Sequence, residues 1–374
     1  MSRLPASAPS AAPPPAPARH SERDGWPLSG KASLCLAGAL AVPLVDALMP
    51  NAMKVGSLVP PIMIFAIMGL GLNIVSGFTG LLNLGSAAFM AIGAYAFSIS
   101  TCTVYPFQIG FWPGLALAIL CGGVAGLVLA LPTMRLRGDY LAIVTLGFGE
   151  IVQDVLKNLD AITKGTQGLN PVPAPALFGL TFTSGNFVPW YYLLLALLLL
   201  AVAFTRNLLH SRIGRAWIAV REDELAARSM GIRIARAKLL AVAIGACLCA
   251  AGGALWASFQ GTSVDPGYYD FQLSVIVLCI VIVGGLGSIS GVLLGALIMI
   301  GFNSIILVKL SDWLASHGIG GGSHVLSLPN NWKYLVYGLA LIVMMRFKPE
   351  GLLPAKDVRD QLRRVTAAST ETGT

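Results

Sequence analysis

The sequence predicts an all-α, polytopic membrane protein with about eight to ten transmembrane helices. Three observations carry this expectation. The 374 residues are 56% hydrophobic and only 11% charged, with a mean hydropathy of +0.76, where a soluble domain carries about 25% charged residues. The apolar runs are long and do not alternate, which argues against a transmembrane barrel. Basic residues cluster on one set of connections, as they do in helical membrane proteins.

Residues 1–30 are rich in Pro, Ala and Ser and are expected to form a disordered cytoplasmic tail. Gly25 to Lys31 reads GWPLSGK and fits seven positions of a phosphate-binding loop. Ala32 then stands where a Ser or Thr must hold magnesium, and no strand precedes it, so the match is rejected. A cleaved signal is not expected, because the first apolar run follows a long polar leader. Apolar runs then cover approximately 32–49, 57–78, 81–101, 109–132, 140–157, 188–205, 237–259, 272–284, 291–307 and 332–347. Several are near bilayer-spanning length. The last four include two short runs and a break, GGLGSISG, at Gly284 to Gly291. That break is either a cytoplasmic turn or an irregular segment inside the bundle.

Ten spans return the chain to its starting side. With the N-terminus inside, 20 of the 25 basic residues, and every arginine, fall on inside segments. Only Lys54, Lys157, Lys164, Lys309 and Lys333 lie outside. This asymmetry predicts cytoplasmic termini around a membrane domain of residues 31–350, with a cytoplasmic tail at 351–374. The net charge of +8 follows from the same rule and implies no affinity for nucleic acid.

Gly214 to Ile232, GRAWIAVREDELAARSMGI, is a charged island between apolar runs. A single amphipathic helix is expected from Ala216 to Met230, with Ala219, Ala226 and Met230 near one stripe. Arg221, Glu222, Asp223, Glu224 and Arg228 hold the rest, and Gly231 stops the helix. Such a helix can be a solvated connector or can dock into a groove of a soluble partner.

Ionisable groups inside a membrane are costly. Asp46 sits near an outer helix end, whereas Glu150 and Asp154 lie four apart on one face and could line a polar path or simply reach an outer surface. Between Gly71 and Tyr95 small residues recur, including Gly85 with Ala88 and Gly93 with Ala96, and these permit close helix approach. Asn73 and Asn83 can bond between helices or face a cavity. The six cysteines and four histidines show neither metal nor disulfide spacing. No catalytic constellation emerges, so an enzyme is not indicated.

LRGDYLAIVTLGFGEIV (Leu136 to Val152) resembles a signature of the M-type permease family of high-affinity branched-chain amino-acid (leucine/isoleucine/valine) ABC importers. Four further segments fit the family in order: Gly71 to Tyr95, Gly214 to Ile232, Val281 to Ala296 and FKPEGLLP at Phe347 to Pro354. The resemblance implies the ABC importer permease fold and a multi-pass location in the bacterial inner membrane. It implies a second permease of a different sequence, two cytoplasmic ATPases and a periplasmic or extracellular substrate-binding protein. ATP with magnesium would bind those ATPases, and this chain would hold no cofactor, with membrane lipid around it. The coupling loop would be residues 207–236, with Gly214, Arg215, Ala219, Arg221, Glu222, Asp223, Glu224, Ala227 and Gly231 at the contact. Candidate pathway residues are Asn73, Asn83, Glu150, Gly284, Gly285 and Gly287.

Related permeases for urea or short amides share much of this pattern. A secondary transporter using Glu150 and Asp154 as proton carriers is the remaining alternative.

Overall fold

A computed structural model describes residues 58–353 apart from 107, 134–138, 176–181, 183–186, 262–263, 308, 310–332 and 349–350, together with Pro43. The expected N-terminal tail, the first apolar run with Asp46, and the C-terminal tail beyond Leu353 lie outside the described residues.

Eleven helices of six or more residues are named here among the described residues. They are α1 (Val59–Leu72), α2 (Ser86–Thr101), α3 (Phe111–Thr133), α4 (Asp139–Asn158), α5 (Phe187–His210), α6 (Arg212–Glu222), α7 (Glu224–Ser229), α8 (Ile234–Gln260), α9 (Phe271–Gly284), α10 (Ile289–Gly301) and α11 (Lys333–Phe347). Four stretches are long and apolar enough to cross a membrane: Val59–Phe78, α3, α5 and α8. Shorter apolar helices cover Ser86–Thr101, Phe271–Gly284, Ile289–Ser304 and Tyr334–Phe347.

Local chemistry explains most boundaries. Prolines stand in the first turn of α1, where the missing N–H costs no helix bond. Pro132 falls in the last turn of α3, where it removes one helix N–H donor. Asp270 caps α9 by accepting from Leu273 N at 3.0 Å, and Ser288 caps α10 by accepting from Gly291 N at 3.1 Å. The helix expected to begin at residue 81 begins instead at Ser86. Residues 80–85 are irregular, because Leu84 N donates to Thr145 Oγ1 of α4 (3.0 Å) and Gly85 N donates to Asn83 Oδ1 (2.8 Å).

The core is built around α8, which packs against α1, α2 and α3. Gly71 of α1 faces Gly245 of α8 so closely that a Cβ on either would stand 2.7 Å from the other's carbonyl oxygen. Small residues therefore set the spacing of these helices, which lack any polar face to guide them. The α9–α10 hairpin closes against α1 on another side.

Two helices end in π-wound turns: α1 continues as Asn73–Phe78, and α10 as Phe302–Leu307. Such bulges recur at functional positions. At the bundle end opposite the charged island, the connections are knitted together. Leu169 and Val264 form an antiparallel bridge, Ser258 Oγ donates to Pro173 O (3.1 Å), and Gln153 Nε2 donates to Pro266 O (3.1 Å).

Candidate functional site

The charged island is two helices, not the single one its composition suggested. Asp223 adopts an extended backbone (φ −155°, ψ 116°) and separates α6 from α7. Its side chain explains the break: Oδ1 accepts from Leu225 N (2.7 Å) and Ala226 N (3.1 Å), a strong N-cap that starts a new helix. The end at Gly231 is as expected. Gly231 has φ +84°, its N–H donates to Arg228 O (3.0 Å), and Ile232 N donates to Ala227 O (3.0 Å). That pair is a Schellman stop, which needs a left-handed residue and so favours glycine.

The expected apolar stripe of Ala219, Ala226 and Met230 does not form, because the break at Asp223 rotates α7 relative to α6. The inward residues are instead Trp217, Val220 and Ala227, packed with Ile74, Phe78, Ala237 and Ala241. Trp217 is fully buried, and its Nε1 donates to Ala237 O at 2.8 Å. Ala226 and Met230 face outward.

Three of the four consecutive charges serve inside the chain. Arg221 Nη1 donates to Gly77 O at 2.6 Å, in the π turn that ends α1. Asp223 caps α7. Glu224 Oε1 pairs with Lys238 Nζ at 2.5 Å, with Lys238 6% and Glu224 38% exposed. These bonds fasten α6 and α7 to α1 and α8. Glu222, Arg228 and Arg215 point outward, and among the described residues neither Glu222 nor Arg228 forms an ion pair. Leu225, the second residue of α7, is 71% exposed, and Met230, its C-cap, is 83% exposed. Sequence reasoning missed Leu225; a leucine two residues after a capping Asp, within a charged stretch, was its signal. A cleft of about 410 Å³ lies beneath α7, bounded by Thr79, Gly80, Arg221, Glu224, Arg228 and Lys238.

The remaining expected site residues are distributed over three places. Asn73 is fully buried, and its Oδ1 accepts from Gly287 N at 2.9 Å. Its Nδ2 has no hydrogen-bond partner among the described residues. Gly284, Gly285 and Gly287 form the turn between α9 and α10. That turn is buried at the charged-island end of the bundle, where Leu352 N donates to Val283 O and Leu353 N donates to Gly284 O, each at 3.0 Å. Asn83 is buried in the α1–α2 connection and turns the backbone there.

Glu150 lies elsewhere, on α4. Tyr140, Ile143, Ile151 and Val155 are exposed with Glu150 and Asp154 on that helix. Their spacing of three and four residues defines one face that no described residue covers. The opposite side of α4 is anchored by Thr145 and Gln153.

A sequence profile of the family described as "Branched-chain amino acid transport system / permease component" matches residues 57–345. The high-affinity branched-chain amino acid transport system permease proteins LivM of Salmonella typhimurium and Escherichia coli are each 40% identical over 322 residues, covering 80% of this chain and 70% of theirs. The corresponding permease protein LivH of Escherichia coli is 25% identical over 315 residues, covering 79% of this chain and 92% of its own. No solved structure matches the chain.

Proposed function

From the premise that this chain belongs to the permease components of branched-chain amino acid transport systems, we propose that it forms half of the membrane pathway of an ATP-driven importer. It is a multi-pass membrane protein and a transport subunit of a system that contains a further permease. Leucine, isoleucine and valine would be the cargo, cytoplasmic ATPases the motor, and an extracytoplasmic binding protein the source of substrate. The island and both termini would face the cytoplasm of a bacterial inner membrane, as the distribution of basic residues suggests.

The observation that carries the reading is the α6–α7 bracket. It is tied to the bundle by Arg221–Gly77 and Glu224–Lys238, and it holds Leu225 and Met230 outward beside Glu222 and Arg228. Two exposed apolar side chains among charges, one at each end of a short helix on a rigid mount, are suited to meet a groove of a soluble partner. Motion of that partner reaches α1 through one hydrogen bond, and reaches the α9–α10 turn through Asn73. The α4 face that no described residue covers supports the second element of the proposal. Acidic groups facing hydrocarbon would be costly, so Glu150 and Asp154 are better placed against a second permease across a polar path. Small and apolar groups with a few amides suit a zwitterion carrying an apolar side chain.

Leu225→Asp with Met230→Asp tests the bracket. The ATPases are expected to be lost on gentle purification and uptake to fall to background, while the chain stays folded and keeps its second permease. Full retention of ATPases and uptake would overturn the docking assignment.

A further inference from the structure

A second cavity, of about 240 Å³, lies at the bundle end opposite the charged island. That is room for a small polar headgroup or one amino acid. Its walls come from distant parts of the chain: Phe65 of α1, Trp256 of α8, Tyr268 and Asp270 of the α8–α9 connection, Asn303 of the second π turn and Tyr337 of α11.

The aromatic groups are arranged as a wall. Trp256 and Tyr268 stack with centroids 5.3 Å apart and planes at 13°, and Phe65 meets Trp256 edge-on at 5.8 Å. Asp270 is the one ionisable carboxylate or ammonium-type group among the described lining residues, which include no Lys or Arg. One of its oxygens caps α9, and the other accepts no hydrogen bond among the described residues. Tyr337 is only 2% exposed, yet its hydroxyl has no partner among the described residues. A buried hydroxyl in that condition costs about 1–3 kcal/mol unless something bonds to it. Aromatic faces, one carboxylate and neutral oxygen acceptors attract a cation with N–H donors and repel an anion.

We propose that this cavity binds a primary ammonium carried on a short chain. The ammonium meets Asp270 and the Trp256–Tyr268 wall, and Tyr337 and Asn303 supply further polar contacts. Two sources offer this chemistry: the headgroup of an aminophospholipid and the α-ammonium of a free amino acid. The site is separate from the exposed α4 face and does not rest on the importer reading.

The test is native mass spectrometry of the full-length purified chain, titrated with two matched pairs of probes. One pair is phosphatidylethanolamine and its N-acetyl derivative, and the other is leucine and N-acetyl-leucine. The proposal expects at least tenfold better retention of the member with the free ammonium in one pair, with that preference lost in Asp270→Asn and reduced in Tyr337→Phe. Asparagine still caps α9, and phenylalanine keeps the ring, so both variants should fold. Preference within the lipid pair identifies a headgroup site, and preference within the leucine pair identifies an amino-acid site. No preference in either pair, or a preference unchanged in both variants, overturns the proposal. Transport is not the readout, so a failure of the importer reading leaves the result interpretable.

Discussion

The guanidinium of Arg221 donates to the carbonyl of Gly77 at 2.6 Å, across 144 positions of sequence. It joins the charged bracket to the one turn of α1 that is π-wound. The neighbouring contact continues inward, because Asn73 in the same turn accepts from Gly287 N at 2.9 Å. The bracket, the end of α1 and the α9–α10 turn are therefore linked by hydrogen bonds rather than by apolar contact alone.

Arg221→Met keeps much of the side-chain volume and removes the donor. A charge-assisted bond to a carbonyl is worth about 1.5–3 kcal/mol. The expected outcome is an assembly that retains its ATPases and hydrolyses ATP, with uptake per ATP reduced severalfold. Parallel assays of hydrolysis and uptake in vesicles check this. Equal losses of both, with ATPases still bound, would show that the bond does not serve coupling.

Gly77→Ala tests the next link. A Cβ there would stand 2.1 Å from Asn73 Oδ1 and 2.6 Å from Gly287 N, so the Asn73–Gly287 bond must open or the turn must shift. Overpacking of this kind costs about 1–3 kcal/mol. A lower thermal midpoint is expected for the purified chain, whereas Gly147→Ala, which meets nothing within 4 Å, should leave it unchanged.

Glu224→Ala removes the partner of the buried Lys238 ammonium. The single change should destabilise by roughly 1–3 kcal/mol, and adding Lys238→Met should recover much of the loss, because a buried charge without its partner is worse than an apolar replacement of both. Thermal unfolding of the two variants separates this from a direct effect on docking. If the double variant is no more stable than the single one, the cost lies elsewhere.

Glu150→Gln with Asp154→Asn neutralises the exposed acidic groups of α4 with little change in shape. Neither side chain holds the helix in place, so folding and recovery of the second permease should persist. Uptake should fall, and what remains should still require ATP. Uptake driven by a proton gradient in the unmodified protein, without ATPases, would instead favour the secondary-transporter alternative.

Part of the site was legible in the chain itself. Gly231 announced its stop because the left-handed turn there is a local requirement. Asp223 also carried a local signal, an N-cap residue followed by Glu224 in the first turn, but the continuous charge pattern concealed it. The roles of Arg221 and Glu224 had no such signal. Whether an arginine faces a partner or a glycine carbonyl depends on what α1 places beside it.

The sequence by itself determined the helical membrane class, the order of the apolar segments, and the gathering of the basic residues on one set of connections. Each depends on composition or local pattern along the chain. Only the tertiary structure decided which charges are used internally, that Asn73 meets Gly287, and that Phe65, Trp256, Asp270 and Tyr337 share one cavity. The physical reason lies in the helices. α1, α3 and α9 are apolar on every side, so their sequences do not say which face will be buried. That choice is made by packing between helices, where glycine pairs such as Gly71 and Gly245 set how closely the backbones approach.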